Sequence, residues 1–224
     1  MSEIKIITDF FNKLLDFIYK KRCYFCRSSK ESVTMCSKCY DSLTHNQACL
    51  NRAIDGIRIY SAGVYDKNLQ KLIRGIKYHR QKELGFYMAK FMWEYFQKLA
   101  EKEGLTQEFD VVPVPLHKLR RRKRGYNHME IVGTEFCQLS GFEPNYGLIE
   151  RIKNTKPQYK LTYAQKEQNL ANAFRVNKEN YTGKPVLIID DICTSGATFN
   201  SMIKELRKNG INDIVCFSAS SPDY

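Results

Sequence analysis

The sequence predicts an α/β fold: a mostly parallel sheet flanked by helices, with a small four-cysteine lobe ahead of it. Three observations carry this. The run KPVLIIDD (184–191) is continuously aliphatic rather than alternating, as in strands covered on both faces. Strand-like runs of this kind alternate along the chain with segments of helical periodicity. Two C-x2-C pairs, Cys23/Cys26 and Cys36/Cys39, sit close together near the N-terminus.

The elements follow in order. Residues 3–20 place Ile4, Ile7, Phe10, Phe11, Leu14, Leu15 and Ile18 on one stripe, an amphipathic helix over 1–20. Packing on its own protein is the simpler role for that stripe, and docking to a membrane or partner is the alternative. The cysteine lobe covers 21–50, with a polar linker running to about residue 55. The α/β domain then occupies 55–224. IRIYSAGVY (57–65) is a strand between turn signals at Gly56 and Asp66. Helical periodicity marks 68–79 and 84–102, and Trp93 falls in the apolar stripe of the second. FDVVPVP (109–115) is a short buried strand ended by prolines. A helix over 126–140 stops before Gly141, a strand covers 146–151, and a helix covers 163–174. After the strand at 184–191, a helix spans 195–210 and ends on Gly210, and a last strand covers 213–220.

Bulk composition narrows the partners. The chain has 224 residues, enough for one α/β domain and a small appendage. Its 36 Lys and Arg against 24 Asp and Glu leave a net charge of +12, which suits polyanionic partners: nucleic acid, phosphorylated metabolites or anionic lipid. Charged residues interrupt the apolar N-terminus, so no signal peptide or spanning segment is read there, and a cytosolic location is expected. In that compartment eight cysteines argue for metal or catalysis rather than disulfides.

The two knuckles can place Cys23, Cys26, Cys36 and Cys39 around one tetrahedral Zn²⁺. Four thiolates leave no open position, so the metal is expected to be structural. Cys49 and His45 are nearby substitutes, but the symmetric set is simpler. Tyr24, Arg27 and their basic and aromatic neighbours suit single-stranded nucleic acid. They equally suit a small lobe that needs soluble flanks.

VLIIDDICTSGAT (186–198) is the most specific motif. A buried strand delivers Asp190 and Asp191 at its carboxyl end, where α/β proteins bind ligands. A helix then starts, and its N-terminal N–H groups suit a phosphate. Thr194, Ser195 and Thr198 add hydroxyls, and Gly196 lets the backbone approach closely. Adjacent carboxylates suit a ribose diol, so the motif is compatible with a cradle for a ribose 5-phosphate. Cys193, inside this loop, reads as a small buried side chain. PVPLHKLRRRKRGYNH (113–128) packs six cations between Lys118 and Arg124 after a buried strand. A charge run alone is most often a solvated face, but its place after a buried strand at the ligand-binding edge of a parallel sheet shifts the reading towards a grip on phosphate or nucleic acid. His79 and His117 lack partners at metal spacing and read as surface residues.

The 186–198 segment resembles the PRPP-binding motif (PRPP, phosphoribosyl pyrophosphate) of type I phosphoribosyltransferases. The resemblance implies ribose contacts for Asp190 and Asp191, 5′-phosphate contacts for Thr194, Ser195, Gly196, Ala197 and Thr198, and Mg²⁺ bridging ribose and pyrophosphate oxygens. Adding the paired knuckles, LIRGIKYH, VVPVPLH, RGYNH, an Arg151/Thr155/Gln158/Leu161 segment and NLANAF, the chain resembles the ComF family of competence proteins. That resemblance covers Cys23 to about Phe217. It implies a type I phosphoribosyltransferase-like domain behind an N-terminal zinc finger, and a role in natural transformation at the cytosolic face of the membrane. It also implies a mobile pyrophosphate loop from Val114, Pro115, Leu116, Arg120, Arg124, Gly125, Tyr126 and Asn127. Lys118, Arg120, Arg121, Arg122, Lys123, Tyr24 and Arg27 are then candidates for gripping single-stranded DNA. His128 stands where the family more often has Gln, Lys166 where Arg is usual, and T-S-G replaces T-T-G. Thr194 occupies the position where purine-salvage relatives carry an Asp base, which weakens a purine-salvage reading.

Three functions compete. The first is a transformation protein that binds PRPP with Mg²⁺ and single-stranded DNA. The second is a metabolic phosphoribosyltransferase with an unknown acceptor. The third is a structural partner that docks a DNA-uptake helicase or a membrane translocation component.

Overall fold

The computed structural model describes residues 21–45, 47–105, 107–155 and 162–222. The helix expected over 1–20 lies outside them, as do Gln158 and Leu161 of the 151–161 segment. The chain divides into two compact units, residues 1–42 and 43–224.

The larger unit is built on a six-stranded sheet. Its strands are β1 (Gln47–Ile54), β2 (Ile57–Gly63), β3 (Asp110–Pro113), β4 (Glu143–Pro144), β7 (Val186–Ile192) and β8 (Ile214–Ser220), in the order β1-β2-β8-β7-β3-β4. Every pairing is parallel except β1 with β2. Central β7 registers Ile188 against Val112 on one side and Cys216 on the other. It is buried at residues 186–189, as continuous aliphatics require.

Both faces are covered. Helices α3 (Leu84–Glu103) and α5 (His128–Ser140) bring Trp93, Phe96 and Phe136 against Phe109, Phe142 and Phe217. Trp93 stacks on Phe96 but is only part-buried, so it packs at the margin of the core rather than inside it. Gly133 lets α5 close on β3, since a Cβ there would stand 2.4 Å from Pro113 Cγ. On the other face α7 (Ala197–Lys208) packs Phe199, Met202, Ile203 and Leu206 against Val186, Ile188 and Cys216. Each fully buried side chain of this kind contributes about 1.5–3 kcal/mol. A separate antiparallel pair, β5 (Ile149–Arg151) with β6 (Phe174–Val176), adds Leu148, Ile149 and Phe174 to that layer.

Several expectations need correction. The linker to residue 55 is instead a helix, α1 (Ser37–Thr44), and then β1, which pairs with β2. The helix expected over 163–174 stops earlier, as α6 (Tyr163–Leu170); Asn172 takes φ +53° and Phe174 starts β6. The strand expected over 146–151 shrinks to β5 and joins β6, not the main sheet. Residues 118–124 form a helix, α4 (Lys118–Arg124), not a loop. His117 caps it by accepting from the Leu119 N–H and is buried rather than superficial. Gly125 closes it at φ +87°.

Candidate functional site

The carboxyl ends of β3 and β7 open into one cavity of about 430 Å³. Helix α2 (Lys67–Tyr78) delivers Arg74, Lys77 and Tyr78 to it, α4 delivers Arg120 and Arg124, and α5 delivers His128. Arg151 comes from β5 and Lys166 from α6. Asp190, Asp191, Thr194 and Thr198 face this ring of cations. Asp190, Thr194 and Thr198 also line a small adjoining recess with Ser195, Gly196 and Ala197. A larger groove of about 720 Å³ lies between α6 and α7, but it contains neither acid.

The loop between β7 and α7 is tightly held. Gly196 has φ +76°, which favours glycine, and a Cβ there would also displace the Ile54 Cδ1 methyl, 2.3 Å away. Beneath the loop lie buried serines of β8 and its end. Ser220 donates to the Asp191 carbonyl at 3.0 Å and Ser221 to the Cys193 carbonyl at 2.9 Å. Ser218 donates to the Ser220 carbonyl and shares a 2.6 Å hydroxyl contact with Ser61. Cys193 is buried, as its sequence context suggested.

The two acids differ in partners. Asp191 Oδ2 meets both Lys77 Nζ and His128 Nε2. Burial works against its ionisation, but the Lys77 ammonium prevails and holds Asp191 well below the usual carboxylate range. Asp190 Oδ1 accepts from the Asp191 N–H at 2.9 Å. Burial, and then the Asp191 charge beside it, push its carboxyl up to about 7.

His128 joins this pair to the arginine helix. Burial first, with Lys77 and Arg124 adding to it, brings the imidazole down to about 4 against the pull of Asp191. It is therefore neutral near pH 7. Arg124 Nη1 lies 2.7 Å from His128 Nδ1, and a guanidinium can only donate. Nδ1 must accept, so Nε2 carries the proton and donates to Asp191.

At the far side of the cavity Arg120 donates to the Thr155 carbonyl and Arg151 to its hydroxyl. Arg151 is buried, lies over the Phe174 ring, and has no hydrogen-bond partner for Nε among the described residues. Burial, then the Arg120 charge, lower its pKa to about 10. Two guanidiniums gathered in this way need an anion to offset their repulsion.

Comparisons with known proteins agree with this geometry. A phosphoribosyl transferase domain model matches residues 140–219. Competence protein F of Haemophilus influenzae is 27% identical over 198 residues, covering 86% of each chain. The DNA utilization protein YhgH of Escherichia coli K12 is 25% identical over 193 residues, covering 84% of this chain and 85% of that one. Competence protein ComFC of Bacillus subtilis is 23% identical over 204 residues, covering 85% and 80%. These relatives, together with the phosphoribosyl transferase domain match, support a ComF-family protein. Its larger unit has the α/β fold of phosphoribosyltransferases. An adenine phosphoribosyltransferase from Saccharomyces cerevisiae overlaps 83% of the chain at 12% identity and a TM-score of 0.40.

Within the cavity the expected site residues separate. Of those assigned to a pyrophosphate loop, Val114, Leu116, Arg120 and Arg124 line the cavity. Val114 N–H goes to the Ile189 carbonyl, its carbonyl accepts from Asn127, and proline has no N–H. Asn127 is buried as the N-cap of α5, and Tyr126 donates its hydroxyl to the Ile76 carbonyl, so both shape the site without lining it. Lys118, Arg121, Arg122 and Lys123 are exposed on α4, with Arg121 paired to Glu130 at 3.0 Å.

Lys77, Arg74, Tyr78 and His128 were missed as site residues. Lys77 and Tyr78 lie inside the family segment LIRGIKYH, and His128 ends RGYNH, so the signal was present. The joint contact of Lys77 and His128 with Asp191 of β7 was not.

In the smaller unit, the sulfurs of Cys23, Cys26, Cys36 and Cys39 all lie within 4.8 Å of one another. Zinc–sulfur bonds of about 2.3 Å imply tetrahedral edges of about 3.8 Å. Cys26 Sγ and Cys36 Sγ stand 3.6 Å apart. Cys36 N–H points at Cys23 Sγ. Burial opposes ionisation of Cys23, but backbone N–H groups outweigh it and bring the thiol to about 6. The donor set fits structural zinc. Tyr24 packs edge-on against Phe25, and Arg27 takes φ +66°. No helix among the described residues is long and apolar enough to cross a membrane.

Proposed function

We propose that the cavity binds PRPP with Mg²⁺, and that the protein acts in the uptake and handling of single-stranded DNA during natural transformation. The observation that carries the ligand is convergence. Two carboxylates, a hydroxyl-rich loop at a helix N-terminus and six cationic side chains meet in one cavity. A ribose bearing phosphate at both ends presents a diol and two anionic groups, the chemistry that this lining complements.

The Thr194–Thr198 loop would take the 5-phosphate through backbone N–H groups and hydroxyls. Arg120, Arg124 and Arg151 would take the pyrophosphate. Asp190 would offer its carboxylate to the diol or to Mg²⁺, while Asp191 has one oxygen, Oδ2, already held by Lys77 and His128. The metal would neutralise pyrophosphate charge. The DNA role rests on the printed names of the relatives, which concern competence and DNA utilization, and on the net charge of +12. A cytosolic protein that works near the inner face of the membrane, with a DNA-uptake helicase or translocation component as partner, fits that role.

One observation favours group transfer as a second reading. A carboxyl held near 7, as at Asp190, can exchange a proton at neutral pH. Pyrophosphate release from PRPP with an acceptor library would identify such chemistry.

Isothermal calorimetry with PRPP, with and without Mg²⁺, tests the binding. We expect one-site binding in the wild type and at least about a hundredfold loss in the Asp190→Asn, Asp191→Asn double variant. Equal affinity in the two proteins would refute the assignment.

A further inference from the structure

The cavity has an unusual mouth. Tyr78 lines it, yet its side chain is 65% exposed, the most open of the large apolar residues described. The Arg124 guanidinium lies over its ring at 5.7 Å. A second ring–cation pair sits close in sequence to the first, with Lys82 Nζ 4.8 Å from the Tyr126 centroid. Arg80, Arg121, Arg122 and Lys123 are exposed on the same two segments, and Leu119 is 49% exposed on α4. Two short segments, 78–82 and 118–126, thus alternate flat apolar faces with cations. An open ring face takes an unstacked base, while flanking cations take the phosphates between bases. A duplex has its bases stacked inside and cannot use the ring.

Arg124 is also the outer end of the chain Arg124–His128–Asp191–Lys77 described above. One guanidinium therefore serves the rim and the acid pair together. We propose that Tyr78 and Arg124 form a base-stacking rim for single-stranded nucleic acid, and that a phosphorylated sugar in the cavity competes with the strand for Arg124. The competition rests on the cavity being a PRPP site; the stacking rim does not. Because coupling between two sites is reciprocal, each ligand weakens the other by the same factor.

The test uses the full-length zinc-loaded protein and a fluorescein-labelled oligothymidylate, followed by anisotropy at low salt. The expected results are threefold. Tyr78→Ala weakens oligonucleotide binding at least about fivefold, the low end of what one stacked base contributes. Tyr78→Trp, which keeps a stacking face, restores it. A duplex of equal length binds wild type and Tyr78→Ala alike. Oligonucleotide affinity of Tyr78→Ala within twofold of wild type would overturn the rim, as would no strand binding by the wild type. Saturating PRPP with Mg²⁺ should weaken strand binding by the wild type several-fold. No change, in a protein shown by calorimetry to bind PRPP, would overturn the competition. No PRPP binding in that calorimetry would instead defeat the cavity assignment and the competition, and would leave the rim to be judged by Tyr78→Ala alone.

Discussion

The cysteine lobe and the acid cavity are both ligand sites, yet they are assembled in opposite ways. The lobe draws its four sulfurs from residues 23–39, a single local stretch. The cavity draws on α2, α4, α5, α6, β5 and the β7–α7 loop, spread from residue 65 to 198. A local site can be ordered by its ligand, because the metal closes one short loop. A distributed site must be ordered by the fold, because no ligand can gather six elements against their chain entropy. Metal removal should therefore unfold the first, whereas the second should stand empty and intact.

The largest effect follows at once. Structural zinc in small lobes contributes on the order of 10 kcal/mol to folding. Chelation, or Cys36→Ser, should abolish the lobe's own structure, seen as loss of amide protection over 23–39 in hydrogen exchange. The cavity residues all lie in the other unit, so PRPP affinity should stay within about threefold. Protection that survives chelation would show that the lobe does not depend on a metal.

That contrast also sorts what could be read from the chain. The four cysteines were legible because their spacing is the site. The β7–α7 loop was legible for the same reason, with strand, acids and phosphate loop consecutive in one motif. Lys77 and His128 were visible only as letters in family segments. Their role depends on two helix ends converging on Asp191, which neither segment encodes alone. The linker before residue 55 was misread because β1 pairs only with β2, and its polar, broken pattern QACLNRAI lacks the aliphatic run of a central strand. The 118–124 run was misread as a loop because charge hid a short helix that both a histidine cap and a glycine stop define. The serines at 218, 220 and 221 gave no signal: Ser218 and Ser220 share a face of β8, but nothing in the sequence says what that face meets.

A smaller effect separates the cavity from an ordinary folded core. Asp190 is raised to about 7 from an ordinary value of 3.8, so the folded state holds its proton more tightly than the unfolded chain. The stability this brings is full below about pH 4 and is lost as pH rises to about 7. Asp190→Asn removes that loss. The variant should be more stable than wild type at pH 8 by on the order of 1 kcal/mol, and equal to it near pH 4, by urea unfolding. Lower stability at pH 8 would show that Asp190 contributes to the fold and is not held there for a ligand.

The smallest effect concerns the serine support. Ser220→Ala removes a buried hydrogen bond to the Asp191 carbonyl at the end of β7, and Ser221→Ala one to the Cys193 carbonyl in the loop. Each should cost about 1 kcal/mol of stability. PRPP affinity should fall more than stability alone predicts, because the loop loses its backing. Unchanged affinity would mean that the loop is held by its own backbone and by Ile54 against Gly196.

Crystals of the protein grown or soaked with PRPP and Mg²⁺ test the central claim most directly. The 5-phosphate is expected on residues 194–198, the ribose diol at Asp190, and the pyrophosphate among Arg120, Arg124 and Arg151. Ligand bound in the groove between α6 and α7, or an empty cavity in crystals that hold the ligand elsewhere, would contradict it.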